Sequence, residues 1–468
     1  MAAKVKKMAV QQGGGMNWRP NIADSTKPKY LALVEALEND IARGSLRHGD
    51  RLPPQREIAE QLDITIATIT KAIREATRRG IVTARTGSGT FVRIGESLPE
   101  ADRPVPDLSL NTVPTGPTKP FLDAALEELG QRHAAEILCA YEPSAGNESH
   151  RTSMAKWLRK RKLSVQPSQI LLTHGGQHAL AACFHALTKP GDVVLCEEWS
   201  YSGIRRLADL CHVRAEGVSM DAEGIEPASL REKLRSTGAK LVFCTAAVQN
   251  PTTATMSLSR RREIIAICKK AGALIVEDDI YGVLSGEDLP ALASIDGAQT
   301  IYISSLSKCL SPGIRLGALV ASENLIPNLQ NALISLHWTA PTFWAEVFEF
   351  MRENGTAERC LSAHRREANR RLELYREIVQ QKPGTDLPSY HVWQRVPAPW
   401  RLDDFVAELL TVGVRVSPAQ HFAVSQNGDN NFIRVCLGGG DDVDLLKDQL
   451  TKLRAVMHGR PRLSATII

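Results

Sequence analysis

The spacing of apolar positions changes character along the chain. Over residues 29–43, KYLALVEALENDIAR, Tyr30, Val34, Leu37 and Ile41 recur at helical spacing, which predicts an amphipathic helix stopped by Gly44. A turn-rich connector, LRHGDRLPP, follows, and Pro54 opens a short helix, QREIAEQL. Thr65 stands as N-cap before ITKAIREATRR, whose Ile69, Ala72, Ile73 and Ala76 form one apolar stripe ending at Gly80. Strand-like alternation then takes over in IVTAR and TFVRI, joined by TGSG at 86–89, a hairpin signal. Residues 96–120 show neither period and hold six prolines, which predicts an extended tether whose DLSL end can pair as an edge strand. From about residue 121, strand-length apolar runs alternate with helical patterns. VVLCEEW (193–199) follows the helical QHALAACFHAL, KLVFCTA (240–246) precedes a helix over 258–271, and ALIVEDD (273–279) precedes TIYISSLSK (300–308). That alternation predicts an α/β fold, a mostly parallel sheet with helices on both faces and its ligands at the carboxyl ends of the strands.

Helix, helix, turn, helix, hairpin over 25–95 describes a winged helix-turn-helix. Its third helix is thin enough for the major groove of double-stranded DNA. Charge agrees with this division: residues 1–95 hold 16 lysines and arginines against 9 acids, while the rest of the chain is close to neutral. Lys71, Arg74, Arg78 and Arg79 can pair with phosphates, and the small residues Gly87, Ser88 and Gly89 let the wing approach the backbone closely. Residues 1–24 are expected to form a disordered tail. No apolar run is long enough for a membrane, and nine scattered cysteines without a CxxC suit a reducing cytoplasm. No metal is expected: His174 and His178 are four apart, but Gly175 and Gly176 lie between them and no third ligand is evident.

The segment resembles the GntR family of transcription regulators over about residues 25–93, on GDRLPPQREIAEQL, ITIATITKAIREATRRGIV and RTGSGTFV. The resemblance implies that Arg56 touches DNA from the second helix and that Thr65, Ala67 and Thr68 begin the reading helix. Ile66 departs from that pattern, where the family usually has arginine. An apolar residue there either meets a thymine methyl or packs inward.

In the larger region, the ends of the apolar runs carry Gly176-Gln177, Tyr201, Asn250, Asp278, Tyr281, Ser305, Ser307 and Lys308, with Arg315 shortly after. Together these meet the needs of pyridoxal 5'-phosphate. A desolvated lysine, Lys308, takes the aldehyde as a Schiff base. The helix start at Gly176-Gln177, with Ser305, Ser307 and Arg315, takes the phosphate. Asp278, preferred to Asp279 for its spacing to Tyr281, keeps the ring nitrogen protonated. Asn250 and Tyr281 donate to the ring hydroxyl, and Tyr201 covers the ring face.

This constellation resembles fold-type I aminotransferases over roughly residues 108–468, on YEPSAGNESHR, HGGQHAL, EEWSYSG, QNPTT, EDDIY, SLSKCLSPGIRLG and NFIRVCLGG. The resemblance implies a fold-type I PLP-dependent large domain over 121–468, with a small C-terminal α+β subdomain from about 340. By the same resemblance Arg434 holds a carboxylate, and Tyr141 reaches the phosphate of a partner subunit, which implies a dimer. For Arg434 the alternative is pairing with a neighbouring acid. Thr253 stands where the family has glycine, and Trp199 breaks a second motif; both are expected to reshape the substrate side.

A winged helix joined to such a body is similar to the MocR subfamily of GntR regulators. That similarity implies a cytoplasmic, PLP-dependent, domain-swapped homodimer that binds an operator and answers an amino acid or related amine. An active aminotransferase with an accessory DNA-binding head, and a sensor of PLP itself, are the alternatives.

Overall fold

The structure, a computed structural model, describes residues 18–22, 27–47, 49–78, 81–85, 89–92, 105–132, 139, 141–286, 288–424 and 430–461. The chain divides into two compact units, Met1–Pro104 and Val105–Ile468.

In the first unit α1 (Lys29–Ala42), α2 (Gln55–Gln61) and α3 (Ile66–Arg78) precede a hairpin of β1 (Val82–Arg85) and β2 (Gly89–Val92). The expected stripe of α3 is the buried one: Ile69, Ala72, Ile73 and Ala76 close onto Leu33, Val34 and Leu37 of α1 and Ile58 of α2. The Thr65 hydroxyl accepts from the Thr68 amide at 3.3 Å, starting α3, and Thr70 donates to Gln55 at 2.9 Å, tying α3 to α2. Arg51 bridges to Phe91, so the connector before α2 supports the wing. The expected tail ends earlier than residue 24. Trp18 is buried in this core because its indole N–H finds the Asp40 carboxylate at 2.8 Å, leaving the ring free to pack.

The second unit is built on a seven-stranded sheet of order β3-β11-β10-β9-β8-β4-β5. Its strands are β3 (Ile170–Thr173), β4 (Val193–Glu197), β5 (Arg214–Val218), β8 (Leu241–Cys244), β9 (Leu274–Asp278), β10 (Thr300–Ser305) and β11 (Gly317–Val320). Two-residue strands β6 (Met220–Asp221) and β7 (Gly224–Ile225) form a separate hairpin. Pairing is parallel from β10 through β9, β8 and β4 to β5; only β11 runs antiparallel to its neighbours. Both faces are covered, so the strands read as continuous apolar runs whose alternate residues serve two cores. Val194, Cys196 and Phe243 face the helix Gly176–Leu187, while Leu195, Val242 and Ile275 face the helix Leu258–Ala271.

A second sheet, β12 (His391–Arg395), β14 (Phe432–Cys436) and β13 (Ser417–Pro418), is antiparallel and packs with the helices Leu402–Thr411 and Val443–His458. This small subdomain begins later than residue 340. Phe348 and Met351 of the helix Thr342–Glu353 lie in the core beside β3 and β11. The division falls inside the 24-residue helix Thr356–Val379: Cys360, Leu361 and Ala368 pack on that first core, Leu372, Tyr375 and Val379 on the second. The proline-rich stretch is split as well. From Val105 it belongs to the second unit, with Leu108 buried in the small-subdomain core and its carbonyl accepting from the Cys436 amide at 2.8 Å. Among the described residues no helix is long and apolar enough to cross a membrane.

Candidate functional site

The carboxyl ends of β3, β4, β8, β9 and β10 open into a cavity of about 330 Å³, within the range of cofactor pockets. Gly176, Gln177, Tyr201, Asn250, Asp278, Tyr281, Ser305, Ser307, Lys308, Arg315 and Arg434 all line it, brought together from positions up to 258 residues apart. Tyr141 does not line it; its side chain is 89% exposed.

One end of the cavity is an anion cup. The helix Gly176–Leu187 starts there with no side-chain cap at Gly175, so its first N–H groups face the cavity without intrahelical partners. Arg315 donates to the Ser307 hydroxyl at 3.2 Å and to the His174 carbonyl at 3.1 Å, and Ser305 and Ser307 lie 2.9 Å apart through their hydroxyls. Gly175 is required at this point: its φ is +81°, and a Cβ would stand 2.6 Å from the Arg315 guanidinium. The buried Gln177 Oε1 has no partner. Such a cup of amides, hydroxyls and one guanidinium is complementary to a phosphate.

At the centre, Lys308 points its amine toward the Asn111 carbonyl. Burial, then the neighbouring guanidiniums of Arg434 and Arg315, push its pKa down to about 8, against the pull of Cys436 and Asp278. Asp278 lines the cavity with its pKa pushed up to about 7, by burial and by repulsion from Asp279. Asp279 points away and is engaged by Arg161 at 2.7 Å and by the Tyr302 hydroxyl at 2.9 Å. The Asp278–Asp279 ambiguity is thus decided by direction: one carboxylate is open to the cavity, the other is consumed by a buried cation. Tyr281 donates to Asn111 Oδ1 at 2.5 Å, over the ring of His391.

At the far end Arg434 donates to Asn250 Oδ1 and to the Ser109 carbonyl, each at 2.8 Å, and lies over Phe422 with 4.6 Å to the ring centre. The acid-paired alternative fails, because no carboxylate pairs with Arg434 among the described residues and its buried Nε has no partner.

Sequence reasoning missed Asn111, Ser417 and Phe422. Asn111 sits in the proline-rich stretch, where no periodicity marks a site, and Ser417 in a two-residue strand. Neither unusual residue reshapes the cavity: Trp199 packs in the small-subdomain core beside Trp393, and Thr253, at φ +63°, lies outside the lining. His337 joins His174 and His178, yet their nitrogens do not converge. His178 Nδ1 accepts from the His174 amide, while His174 and His337 both face the Thr339 carbonyl.

On α3 of the first unit, Thr65, Ile66 and Ala67 are exposed at the helix start, as are Arg56 on α2, Lys71 and the wing's Gly89; Thr68 is half-buried. Lys71 is steadied over the Tyr30 ring at 4.0 Å. Gly87, Ser88 and Arg79 lie outside the described residues. Ile66 is 48% exposed, so it does not pack inward. An Ile66→Arg variant is expected to bind duplex DNA more tightly, its log K falling with log salt about 0.9 more steeply. Fluorescence anisotropy across a salt series checks this; an unchanged slope would separate position 66 from the phosphates.

A winged helix and an aminotransferase-like body with a lysine-centred pocket define a two-domain, DNA-binding transcription regulator. Residues 103–447 match the family model "Aminotransferase class I and II", and residues 29–92 match "Bacterial regulatory proteins, gntR family". The chain belongs to the aminotransferase class I and II family and carries a gntR-family domain joined in front of that body. It is 29% identical to an uncharacterized HTH-type transcriptional regulator, YdeF of Bacillus subtilis, over 94% of this chain and 97% of that one. It is 26% identical to the probable rhizopine catabolism regulatory protein MocR of Rhizobium meliloti, over 70% of this chain and 73% of that one. An archaeal alanine:glyoxylate aminotransferase shares the fold, with a TM-score of 0.69 and 23% identity over 84% of this chain and 94% of that one. The aminotransferase class I and II family is PLP-dependent.

Proposed function

We propose that the second unit binds pyridoxal 5'-phosphate and an amino acid or close relative, and that this binding alters how the winged helices engage an operator. The cavity's donor set fits the cofactor: the cup of helix N–H groups, the Ser305 and Ser307 hydroxyls and Arg315 suits the phosphate, Asp278 the ring nitrogen, Asn250 and Tyr281 the ring hydroxyl, Tyr201 the ring face. When bound, the cofactor supplies an aldehyde that reacts with primary amines. Lys308, with its lowered pKa, keeps a neutral amine available near pH 8.

The observation that carries the effector class is Arg434. A buried guanidinium with an unsatisfied Nε and no acid partner among the described residues is costly, on the order of 1–3 kcal/mol for the orphaned group alone, and a carboxylate relieves it. The exposed Tyr141 is offered to the phosphate site of a second copy, so the working form is a homodimer in the cytoplasm, with domains exchanged between protomers. An effector acts by binding two arrangements of the protein unequally.

The test titrates a panel of amino acids into PLP-loaded protein. It follows the cofactor's visible absorption together with affinity for a duplex selected from a random-sequence pool. One panel member should change both. Repeated keto-acid release with DNA affinity unchanged would make the protein an aminotransferase. A response to PLP alone would make it a cofactor sensor.

A further inference from the structure

Four residues of the cavity already bond to one short piece of chain. The Ser109 carbonyl accepts from Arg434 Nη2 at 2.8 Å and from the Ser417 hydroxyl at 3.0 Å. The Asn111 carbonyl accepts from the Lys308 amine, and its side-chain oxygen accepts from the Tyr281 hydroxyl. Ser109–Asn111 thus occupies, with neutral carbonyls, the donors that an amino acid's carboxylate and the cofactor's polar groups would use.

That piece of chain is also the route to the other unit. Only residues 93–104 separate it, at Val105, from the end of β2 at Val92. It is held at two further places. On one side the Leu108 carbonyl bonds the Cys436 amide; on the other Asp441 accepts from the amides of Thr115 and Gly116 at 2.7 and 2.8 Å. Between these anchors Ser109 and Asn111 bond to Arg434, Lys308, Tyr281 and Ser417, all of which line the cavity, while Ser109 and Leu110 also donate to Asp107 within the segment.

We infer that Ser109–Asn111 is a built-in occupant of the effector pocket, and that an amino-acid carboxylate displaces it from Arg434, so releasing the segment that leads to the DNA-binding unit. The inference rests on the reading of the pocket as an amino-acid site and adds its means of regulation. The physical basis is competition for one donor: a carboxylate brings a full negative charge to the guanidinium and can accept two parallel bonds, where a neutral carbonyl offers only its dipole. Asn111 acts as a positioning residue. Its side chain holds the Tyr281 hydroxyl, and its backbone returns the Lys308 amine to the same place whenever the pocket is empty.

The experiment measures amide exchange over residues 105–118 in full-length, PLP-loaded protein, with each member of the amino-acid panel. The cofactor's visible absorption reports occupancy separately. An amino acid that changes the absorption is expected to raise exchange at 108–112 at least about tenfold. In an Arg434→Gln variant, saturated as judged by absorption, the same compound should leave exchange unchanged. A Ser417→Ala variant, which removes one donor to the Ser109 carbonyl, should show raised exchange without any amino acid, and DNA affinity moved in the direction that the amino acid moves it in the wild type. If absorption changes while exchange at 108–112 stays constant, the displacement is wrong and the amino-acid site stands. If no panel member changes the absorption, the underlying reading fails, and this inference with it.

Discussion

A Lys308→Ala protein is expected to retain no PLP after borohydride treatment and denaturation, where the wild type carries one cofactor mass at residue 308. The difference is all or none, because among the described lining residues of the cavity Lys308 alone bears a primary amine. The pH profile of capture adds a quantitative check. The reacting form is the neutral amine, so below its pKa the capture rate falls about tenfold per pH unit, and above it the rate levels off. Burial and the flanking Arg434 and Arg315 bring that turning point to about 8 instead of the ordinary 10.5. Stopped-flow absorption across pH 6–10 reads it directly. A turning point near 10.5 would mean that Lys308 is solvated, contrary to its enclosure here.

The second large effect concerns stability. Arg161→Met is expected to destabilise the second unit by about 3–5 kcal/mol, because it leaves a carboxylate buried without its cation. Arg161 is 1% exposed and Asp279 not at all, and their contact at 2.7 Å is reinforced by Tyr302. A double variant, Arg161→Met with Asp279→Leu, should recover most of that loss, since a buried ion pair is often replaceable by apolar residues of similar volume. Urea unfolding of the three proteins at one pH measures both numbers. Equal losses in the single and double variants would show that packing around residue 161, and not charge, carries the stability. The pair matters to the pocket as well: by engaging Asp279 it leaves Asp278 as the carboxylate open to the cavity.

Much of this was legible locally. Capping at Thr65, the α3 stripe, the two strands of the wing and the doubly covered strands all follow from period and turn chemistry, which act within a dozen residues. The lining of the cavity was legible too, since most of its members sit at strand ends that a parallel sheet must gather on one edge. What escaped was long-range. Trp18 read as tail because nothing nearby in sequence shows that Asp40 will receive its N–H. The helix Thr342–Glu353 read as small subdomain because its apolar face does not say which core it covers.

By itself, then, the sequence determined which elements form, which carry basic charge, and which residues supply a lysine, a phosphate cup and a guanidinium. The tertiary structure alone decided which of two adjacent aspartates faces the cavity, that no acid among the described residues pairs with Arg434, and that Ser109 and Asn111 bond to donors of the cavity. The physical reason is common to the three. Each depends on a hydrogen bond or ion pair between residues far apart in the chain, over 100 for Arg161 and Asp279 and over 300 for Ser109 and Arg434. Local periodicity carries no information about such partners.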